Sequence, residues 1–464
     1  MRCYWTFADG ARLNHGPPWE IVLAGSRGAL RIDAPSDGVV AALARLSNGG
    51  GTDEELAALV SESGGFAGVA EWYALLHSLT AASSLVANLA EGDTLIARAV
   101  GLSPQHWSDA HAADVGAQLA LSPFAFLRAE NQALILESAS APCRVTLCDK
   151  RAVAITVALH RPRTVASLAV DAGVDPTWAD TWVRFLEALG LVSRAESDAD
   201  PALDDWEFAD LLFHSRSRIG RSPDAVGARG PSTLSGPAPP AIKDAMSADV
   251  MALDRPSDAD RAIGPTLNAV LDARRSVRRH AATPPALADV AEFLFRSARV
   301  RESRPADPSL PGFEYTRRPS PSAGACHALE IYLVVQHCQG LADGMYHYDP
   351  SRHSLERLPA NADARARLLA GVQTGEMAPA DAHVLIVIAA RFARAFWKYD
   401  GLAYANILKD AGALLQTMYL VATSLGLGAC AIGTGDVNAF AEATGLSPWE
   451  ESSVAELVLG VPVS

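Results

Sequence analysis

Arg274-Arg275-Ser276-Val277-Arg278-Arg279-His280 is the stretch on which the reading of this sequence turns. It follows a helical pattern carrying Leu267, Val270 and Leu271, so it reads as a helix end. Four arginines around one serine bring together bidentate donors and a hydroxyl, the equipment for holding a phosphate dianion. The same charges suit a solvated helix C-terminus, where they complement the macrodipole, and these seven residues alone divide evenly between the two readings.

Downstream, Arg317-Arg318-Pro319-Ser320-Pro321-Ser322-Ala323-Gly324-Ala325-Cys326-His327 leads into Leu329-Glu330-Ile331-Tyr332. Prolines and small residues let a backbone approach a flat ligand closely, although such a stretch is also an ordinary surface turn. Strands are expected over Leu329–Val335, Gly344–Asp349 and Val384–Ile388. A central helix is expected from Ile407 to Leu425, with Leu408, Ala411, Leu415, Met418, Tyr419, Ala422 and Leu425 at three- and four-residue spacing, stopped by Gly426 and Gly428. From Gly426 to Asp436, four glycines could turn backbone N–H groups toward a ligand, which by itself is weak evidence. No βαβ unit surrounds them, so a dinucleotide fingerprint does not apply, and no nucleophile elbow or Walker loop occurs. His327, His347 and His383 stand isolated by spacing, and no metal site is expected.

Upstream, the composition between about residues 220 and 260 shifts to Gly, Pro, Ser, Ala and Asp, which reads as a linker. Before it, Trp206 to Arg218 forms an amphipathic bridge, with Trp206, Leu211 and Phe213 expected to anchor it and its arginines to face outward. Two earlier stretches look like weak copies of one another. One has a strand-like segment Ile21–Ile32 and helical patterns around Val39–Leu46, Leu56–Val60 and Trp72–Leu79; the other has Ala133–Leu136, Ala152–Leu159, Thr164–Val170 and Trp182–Leu189. Strand, three short helices and an apolar ending is the winged-helix pattern. The expected layout is a first module over residues 1–100, a second with the bridge over 120–219, a linker over 220–260 and an α+β domain over 261–464. The stretches that would read DNA carry Asp53, Glu54, Glu55, Asp171, Asp175 and Asp180, with Arg184 the lone cation of the last helix. The whole chain, with 39 Lys plus Arg against 53 Asp plus Glu, has a net charge of −14. Nucleic acid is therefore not expected as a partner. A winged helix can instead hold a peptide along a sheet edge.

Six scattered cysteines make no disulfide framework, the first 25 residues contain no apolar h-region, and the longest apolar run, His383–Ala390, is strand-sized. A cytoplasmic protein without a membrane anchor is expected.

In order and spacing, the arginine-serine, proline-serine and glycine segments resemble the nitroreductase-like flavoenzymes, over about Ile263 to Ser464. The resemblance implies that Arg274, Arg275, Ser276 and Arg278 hold the phosphate of flavin mononucleotide (FMN). It also implies that Pro321, Ser322, Ala323 and Gly324 reach the flavin from the other protomer of a homodimer, and that Gly433 and Thr434 lie near flavin N5. The family often adds a basic residue near the C-terminus, which Leu459-Gly460-Val461-Pro462-Val463-Ser464 lacks, and Arg317 or Arg318 is the expected substitute.

Closer still is the branch of SagB-type and ThcOx-type azoline dehydrogenases, which the chain resembles through Pro321–Ala325 running into Leu329–Tyr332, the Asp210–Arg218 bridge, and Trp397-Lys398-Tyr399. This branch implies an FMN-dependent oxidation of peptide thiazolines or oxazolines to azoles, with Lys398 and Tyr399 catalytic. It also implies N-terminal modules that clamp the leader of a precursor peptide, and a cyclodehydratase partner. By themselves the residues favour Trp397 and Tyr399 as core aromatics and Lys398 as a surface charge. The chemistry nevertheless suits the pair, because aromatisation removes a proton from Cα and a hydride from Cβ, and desolvation can make a lysine basic. Adjacent residues reach one substrate only from an irregular segment, which Asp400-Gly401 would permit. The chain departs from the branch at Tyr404-Ala405-Asn406 and Asp410-Ala411-Gly412-Ala413. Alternative readings are an NAD(P)H-dependent nitroreductase or quinone reductase, and a flavin-free peptide-binding scaffold.

Overall fold

The computed structural model describes residues 1–14, 19–22, 29–32, 35–81, 84–101, 116–141, 143–194, 201–218, 226–229, 234, 236–262, 264–305, 312–372 and 382–463. They form two compact units, Met1–Gly227 and Ala228–Ser464.

The first unit is built on one antiparallel sheet of six strands, in the order Arg2–Phe7, Leu85–Glu91, Thr94–Gly101, Cys143–Leu147, Ala133–Ser138 and Ala125–Glu130. Both N-terminal stretches contribute, because Thr94–Gly101 pairs with Cys143–Leu147. Where one strand is expected over Ile21–Ile32, the chain instead pairs Trp19–Val22 with Ala29–Ile32 as two antiparallel strands. Helix Asp37–Ser47 packs against the span Asp53–Ala81, which breaks at Gly65 (φ 54°), a conformation that costs glycine little. In the second stretch, helices Lys150–Ala158, Val165–Ala172 and Pro176–Ala188 precede a short pair of strands, Leu119–Leu121 with Val192–Arg194. Their starts explain some of the acidic residues: the side chains of Asp149, Thr164 and Asp175 each accept a hydrogen bond from a first-turn N–H, and Pro176 opens its helix. Asp171 and Asp180 instead pair with Arg163 and Arg184.

The bridge forms helix Phe208–Arg216, but only Leu211 of its expected anchors is buried, against Phe124 and Ala139. Trp206 and Phe213 stay exposed. Arg216 turns inward instead of outward, because the buried carboxylate of Glu137 accepts from it at 2.7 Å, and from Arg128 and Arg144 at 2.8 Å each. A buried carboxylate needs such donors.

The second unit is an antiparallel sheet of seven strands ordered Val250–Ala252, Ser354–Leu358, Gly344–Asp349, Leu329–Val335, Val384–Arg391, Glu451–Gly460 and Gly428–Ile432. Its central strands are apolar on both faces. Alternate side chains therefore feed two cores: Leu329, Ile331, Leu333, Ile386 and Ile388 face one, and Tyr332, Val334, Leu385 and Val387 the other. Helices Leu287–Ala298 and Ala403–Ser424 cover the first core, Ala362–Val372 and Val437–Thr444 the second. The long helix starts four residues earlier than its periodicity suggests, and its Leu408 is exposed.

Much of the stretch expected as linker belongs to this unit. Arg391 donates to the carbonyls of Pro240 and Ala241, and Arg394 to that of Pro239 at 2.5 Å. Lys243 bonds Glu451 and Tyr332, and Val250–Ala252 extends the sheet. The reason is that a proline-rich segment offers carbonyl acceptors without competing N–H donors, which suits arginines that must be buried. Among the described residues, no helix is long and apolar enough to cross a membrane, and all six cysteines are free.

Candidate functional site

Helix Ala403–Ser424 carries two polar clusters along its length. Near its C-terminal end, the hydroxyl of Tyr419 lies 2.9 Å from Ser276 Oγ and accepts from the backbone N–H of Ala431 at 2.7 Å. The Arg274 guanidinium sits over the Tyr419 ring, 5.4 Å from its centre. Val277 N donates to Ala429 O at 2.9 Å, so the arginine-serine segment runs along the strand that leads to Gly433 and Thr434. Arg275, Arg278 and Arg279 are exposed, and among the described residues none of the three has a carboxylate partner.

The glycines nearby fall into distinct uses. Gly426 (φ 72°) stops the helix. A Cβ on Gly428 would stand 2.8 Å from Val277, and one on Gly435 2.1 Å from Glu456, so both serve close packing. Gly433, by contrast, faces open space. Three unpaired guanidinium groups, a serine hydroxyl and an open glycine make a donor set that fits a phosphate ester anion.

The second cluster lies toward the other end of the same helix. Asp410 accepts from Ser322 Oγ at 2.6 Å and from Ala323 N at 3.0 Å, and Ser322 Oγ accepts in turn from His327 N at 2.9 Å. These bonds hold a loop in which Gly324, Ala325 and His327 all have positive φ, 53°, 53° and 44°. Two of the three carry side chains, so the loop is strained. Lys398 Nζ donates to Gly324 O at 2.7 Å. The position that a Cβ on Gly324 would occupy is 2.7 Å from Lys398 Nζ and 2.3 Å from the Tyr399 hydroxyl, so both side chains reach one spot. They do so because helix Phe392–Phe396 ends before them and Tyr399–Asp400 is extended, with Gly401 (φ 67°) completing the turn. Arg229 fixes this segment, its N–H bonding Lys398 O at 2.8 Å and its guanidinium pairing with Asp400.

Lys398 is buried, not a surface charge. Its ammonium lies over the rings of Phe313 and Tyr315, at 4.5 and 5.2 Å. Phe313 stacks on Trp397 and also on the buried Arg394 guanidinium, which bonds the carbonyls of Cys326, Glu314 and Pro239. Burial pushes Lys398 below the ordinary lysine value, and the Arg394 charge adds to that. Burial raises the Tyr399 phenol to about 12, with Asp410 contributing. Asp410 is itself raised by burial, against its bond from Ser322. A small pocket adjoins the loop, lined by Arg318, Ser320, Pro321, Ser322, His327 and Asp410 among others.

Within the chain, then, Lys398, Tyr399 and the Pro321–Gly324 loop form one cluster, and Arg274, Ser276 and the Gly433 strand another. Of the two arginines expected to add to the phosphate site, Arg317 pairs with Glu302 within the chain, and the half-buried Arg318 donates to the carbonyls of Leu329 and Ala241. Asp410, Tyr419 and Arg394 were not among the expected site residues. Tyr419 was legible only as an apolar helix position, Asp410 only as a departure from the azoline dehydrogenase branch, and nothing in the sequence marked Arg394. His347 lies between two carboxylates, Glu356 at 3.0 Å and Glu330 at 3.2 Å, within the sheet.

The nitroreductase family model matches residues 271–461, and that of the cyanobactin oxidase ThcOx matches residues 119–223. A nitroreductase-type protein of Methanocaldococcus jannaschii is 34% identical over 167 residues, covering 36% of this chain and 78% of that protein. The microcin B17-processing protein of Escherichia coli is 30% identical over 116 residues, 24% of this chain and 42% of its own length. Among solved structures, a nitroreductase-type protein from Ralstonia eutropha JMP134 superposes with a TM-score of 0.37 at 23% identity, covering 52% of this chain and 100% of that one.

Proposed function

This chain belongs to the nitroreductase family, and from that premise we propose that it is an FMN-dependent dehydrogenase that oxidises thiazolines or oxazolines of a ribosomally made peptide to thiazoles or oxazoles. The observation that carries the reading is the meeting of the buried Lys398 and the half-buried Tyr399 at one spot beside Gly324, on an irregular segment. The ThcOx match over residues 119–223 and the relation to a protein that processes microcin B17 support the choice of a peptide substrate. A reductase of small molecules has no evident use for the first unit.

Arg274, Arg275, Ser276 and Arg278 would hold the FMN phosphate, with Tyr419 orienting Ser276 and Gly433 and Thr434 leaving room for the flavin. Bound FMN supplies a two-electron acceptor for the hydride from the azoline Cβ. Lys398 takes the Cα proton, and burial, which lowers its pKa, favours the neutral amine that can accept it. Tyr399, its phenol held protonated, orients the ring through a hydrogen bond. Loss of the two hydrogens leaves the Cα=Cβ double bond of the azole. Asp410 positions the loop that receives Lys398. The first unit grips the leader of the precursor peptide, a cyclodehydratase supplies the azoline, and the chain works as a homodimer.

The test begins with an absorption spectrum and acid release of any chromophore, followed by incubation with an azoline peptide and mass spectrometry for loss of two hydrogens. FMN bound near one per chain and azole formation that Lys398→Met abolishes without loss of FMN are expected. A colourless protein that FMN cannot load, or rapid NAD(P)H oxidation with no azole formed, would overturn the reading.

A further inference from the structure

A second cationic site lies apart from these clusters. Arg255, Arg261, Arg299, Arg301, Ser351 and Phe295 line an open cleft in the second unit. No carboxylate is among its lining residues. Of the four guanidinium groups, only that of Arg261 has an acidic partner among the described residues, Asp258. Arg255 donates to the carbonyl of Arg352 at 3.0 Å and Arg299 to that of Phe295 at 2.8 Å. The Phe295 ring lies under Arg299 at 4.5 Å and under Arg261 at 5.8 Å, which fixes their planes.

Helix C-termini account for two of these arginines, since Arg299 follows helix Leu287–Ala298 and Arg261 stands in the last turn of helix Asp258–Ala262. They do not account for Arg255 or Arg301, which lie in no helix. Gathering four like charges on one wall is costly without an anion to compensate them, the more so as burial and the charges of Arg261 and Arg301 already hold Arg299 below its ordinary value. His353 adds no charge to the wall, because its two ring nitrogens face Tyr348 Oη and Asp254 O and burial keeps it neutral.

We propose that this cleft binds a multiply charged phosphate, of the diphosphate kind, at a site separate from the Arg274–Arg278 segment. A carboxylate occupies one guanidinium fork, whereas the oxygens of a diphosphate accept from several at once. The same chemistry is offered by inorganic pyrophosphate and by a nucleoside diphosphate.

Isothermal titration of the full-length protein, with whatever flavin it carries, tests this at a fixed ionic strength of about 0.15 M. Pyrophosphate and ADP are the probes, and hexaglutamate is the competitor. One site per chain is expected, and ADP binding more tightly than pyrophosphate identifies a nucleotide, equal affinity the free diphosphate. Arg299→Gln removes a helix-end contact as well as a charge, so the deciding variant is the exposed pair Arg255→Gln with Arg301→Gln. It should weaken pyrophosphate about tenfold or more, leaving FMN content unchanged. Arg278→Gln should leave pyrophosphate affinity unchanged. The proposal is overturned by absence of binding, by equal affinity in the double variant, by loss of binding in Arg278→Gln, or by hexaglutamate binding more tightly than pyrophosphate.

Discussion

Substituting Gly324 by alanine adds one methyl at the point where Lys398, Tyr399 and the loop meet. The new Cβ would stand 2.3 Å from the Tyr399 hydroxyl, 2.7 Å from Lys398 Nζ and 3.0 Å from Lys398 Cε, all well inside contact distance. These atoms are the ends of two side chains, so the pair moves and the backbone does not. The stability cost is then limited. Alanine in the left-handed region costs about 1–2 kcal/mol, and displacing Lys398 from Gly324 O removes a charged hydrogen bond of about 1.5–3 kcal/mol, part of which water recovers because Gly324 is exposed. The catalytic cost falls directly on turnover, because a base displaced by about 1 Å loses on the order of 100-fold in rate. Gly324→Ala should therefore keep its FMN and unfold in urea within about 3 kcal/mol of the parent, while azole formation falls by about two orders of magnitude. Serine at the same position should behave alike. Parental turnover in Gly324→Ala would refute the assignment of Lys398 and Tyr399, since no rearrangement leaves both where they are.

Further outcomes follow from other buried charges. If Lys398 is the base it must be neutral to act, so kcat should rise with pH through a pKa below the ordinary 10.5; a kcat that stays level or falls over that range would contradict the assignment. Both ring nitrogens of His347 face carboxylates, and although burial opposes the charged ring, the bond to Glu330 raises its pKa. Burial likewise works against the Glu330 carboxylate, but His347 and Arg391 hold it down at about 2. A raised folded pKa contributes stability in full below the unfolded value of about 6.5 and loses it as pH rises through the folded value. The difference in unfolding free energy between parent and His347→Gln should therefore be about 3 kcal/mol at pH 6 and shrink as the pH is raised; a difference that grows with pH would contradict an imidazolium. In the first unit, Glu137→Gln leaves Arg128, Arg144 and Arg216 facing a neutral amide, and should cost about 3 kcal/mol in urea denaturation.

What the sequence made legible was what depends on short-range pattern. The strands Leu329–Val335, Gly344–Asp349 and Val384–Arg391 and the long helix stand close to where periodicity puts them, because runs this apolar can only be interior. The cluster of Lys398 with Gly324 was legible only through resemblance, since 74 residues separate the two and no local pattern records their meeting. Composition misled in two places. The proline-rich stretch before Val250 reads as a linker because it has no periodicity, yet its carbonyls receive Arg391 and Arg394. Arg216 reads as outward-facing on its helix, yet it turns to Glu137, because the pull of a buried carboxylate is a tertiary fact that amphipathic spacing does not contain.

The two polar clusters are set by one rigid element, because Asp410 and Tyr419 stand nine residues apart on the same helix, about 13 Å along its axis. The loop and the base are one unit within the chain, and the phosphate-binding segment is another. If the loop reaches the flavin of a partner protomer, as the resemblance implies, Lys398 and Tyr399 must reach it too, since Gly324 O holds the lysine. Mixing chains distinguishes the two arrangements. Lys398→Met spoils the base, and Arg278→Gln spoils the phosphate grip. When the two inactive chains are co-expressed, a site shared across the dimer regains function wherever an intact base meets an intact phosphate segment. Random pairing then restores about a quarter of parental activity, because half of the dimers are mixed and each of these has one good site. A site built within one chain gives no recovery, since every chain carries a defect. Recovery would show that the base and the phosphate grip of each site come from different chains, and its absence, with mixed dimers demonstrated by differential tagging, would place the whole site within one chain.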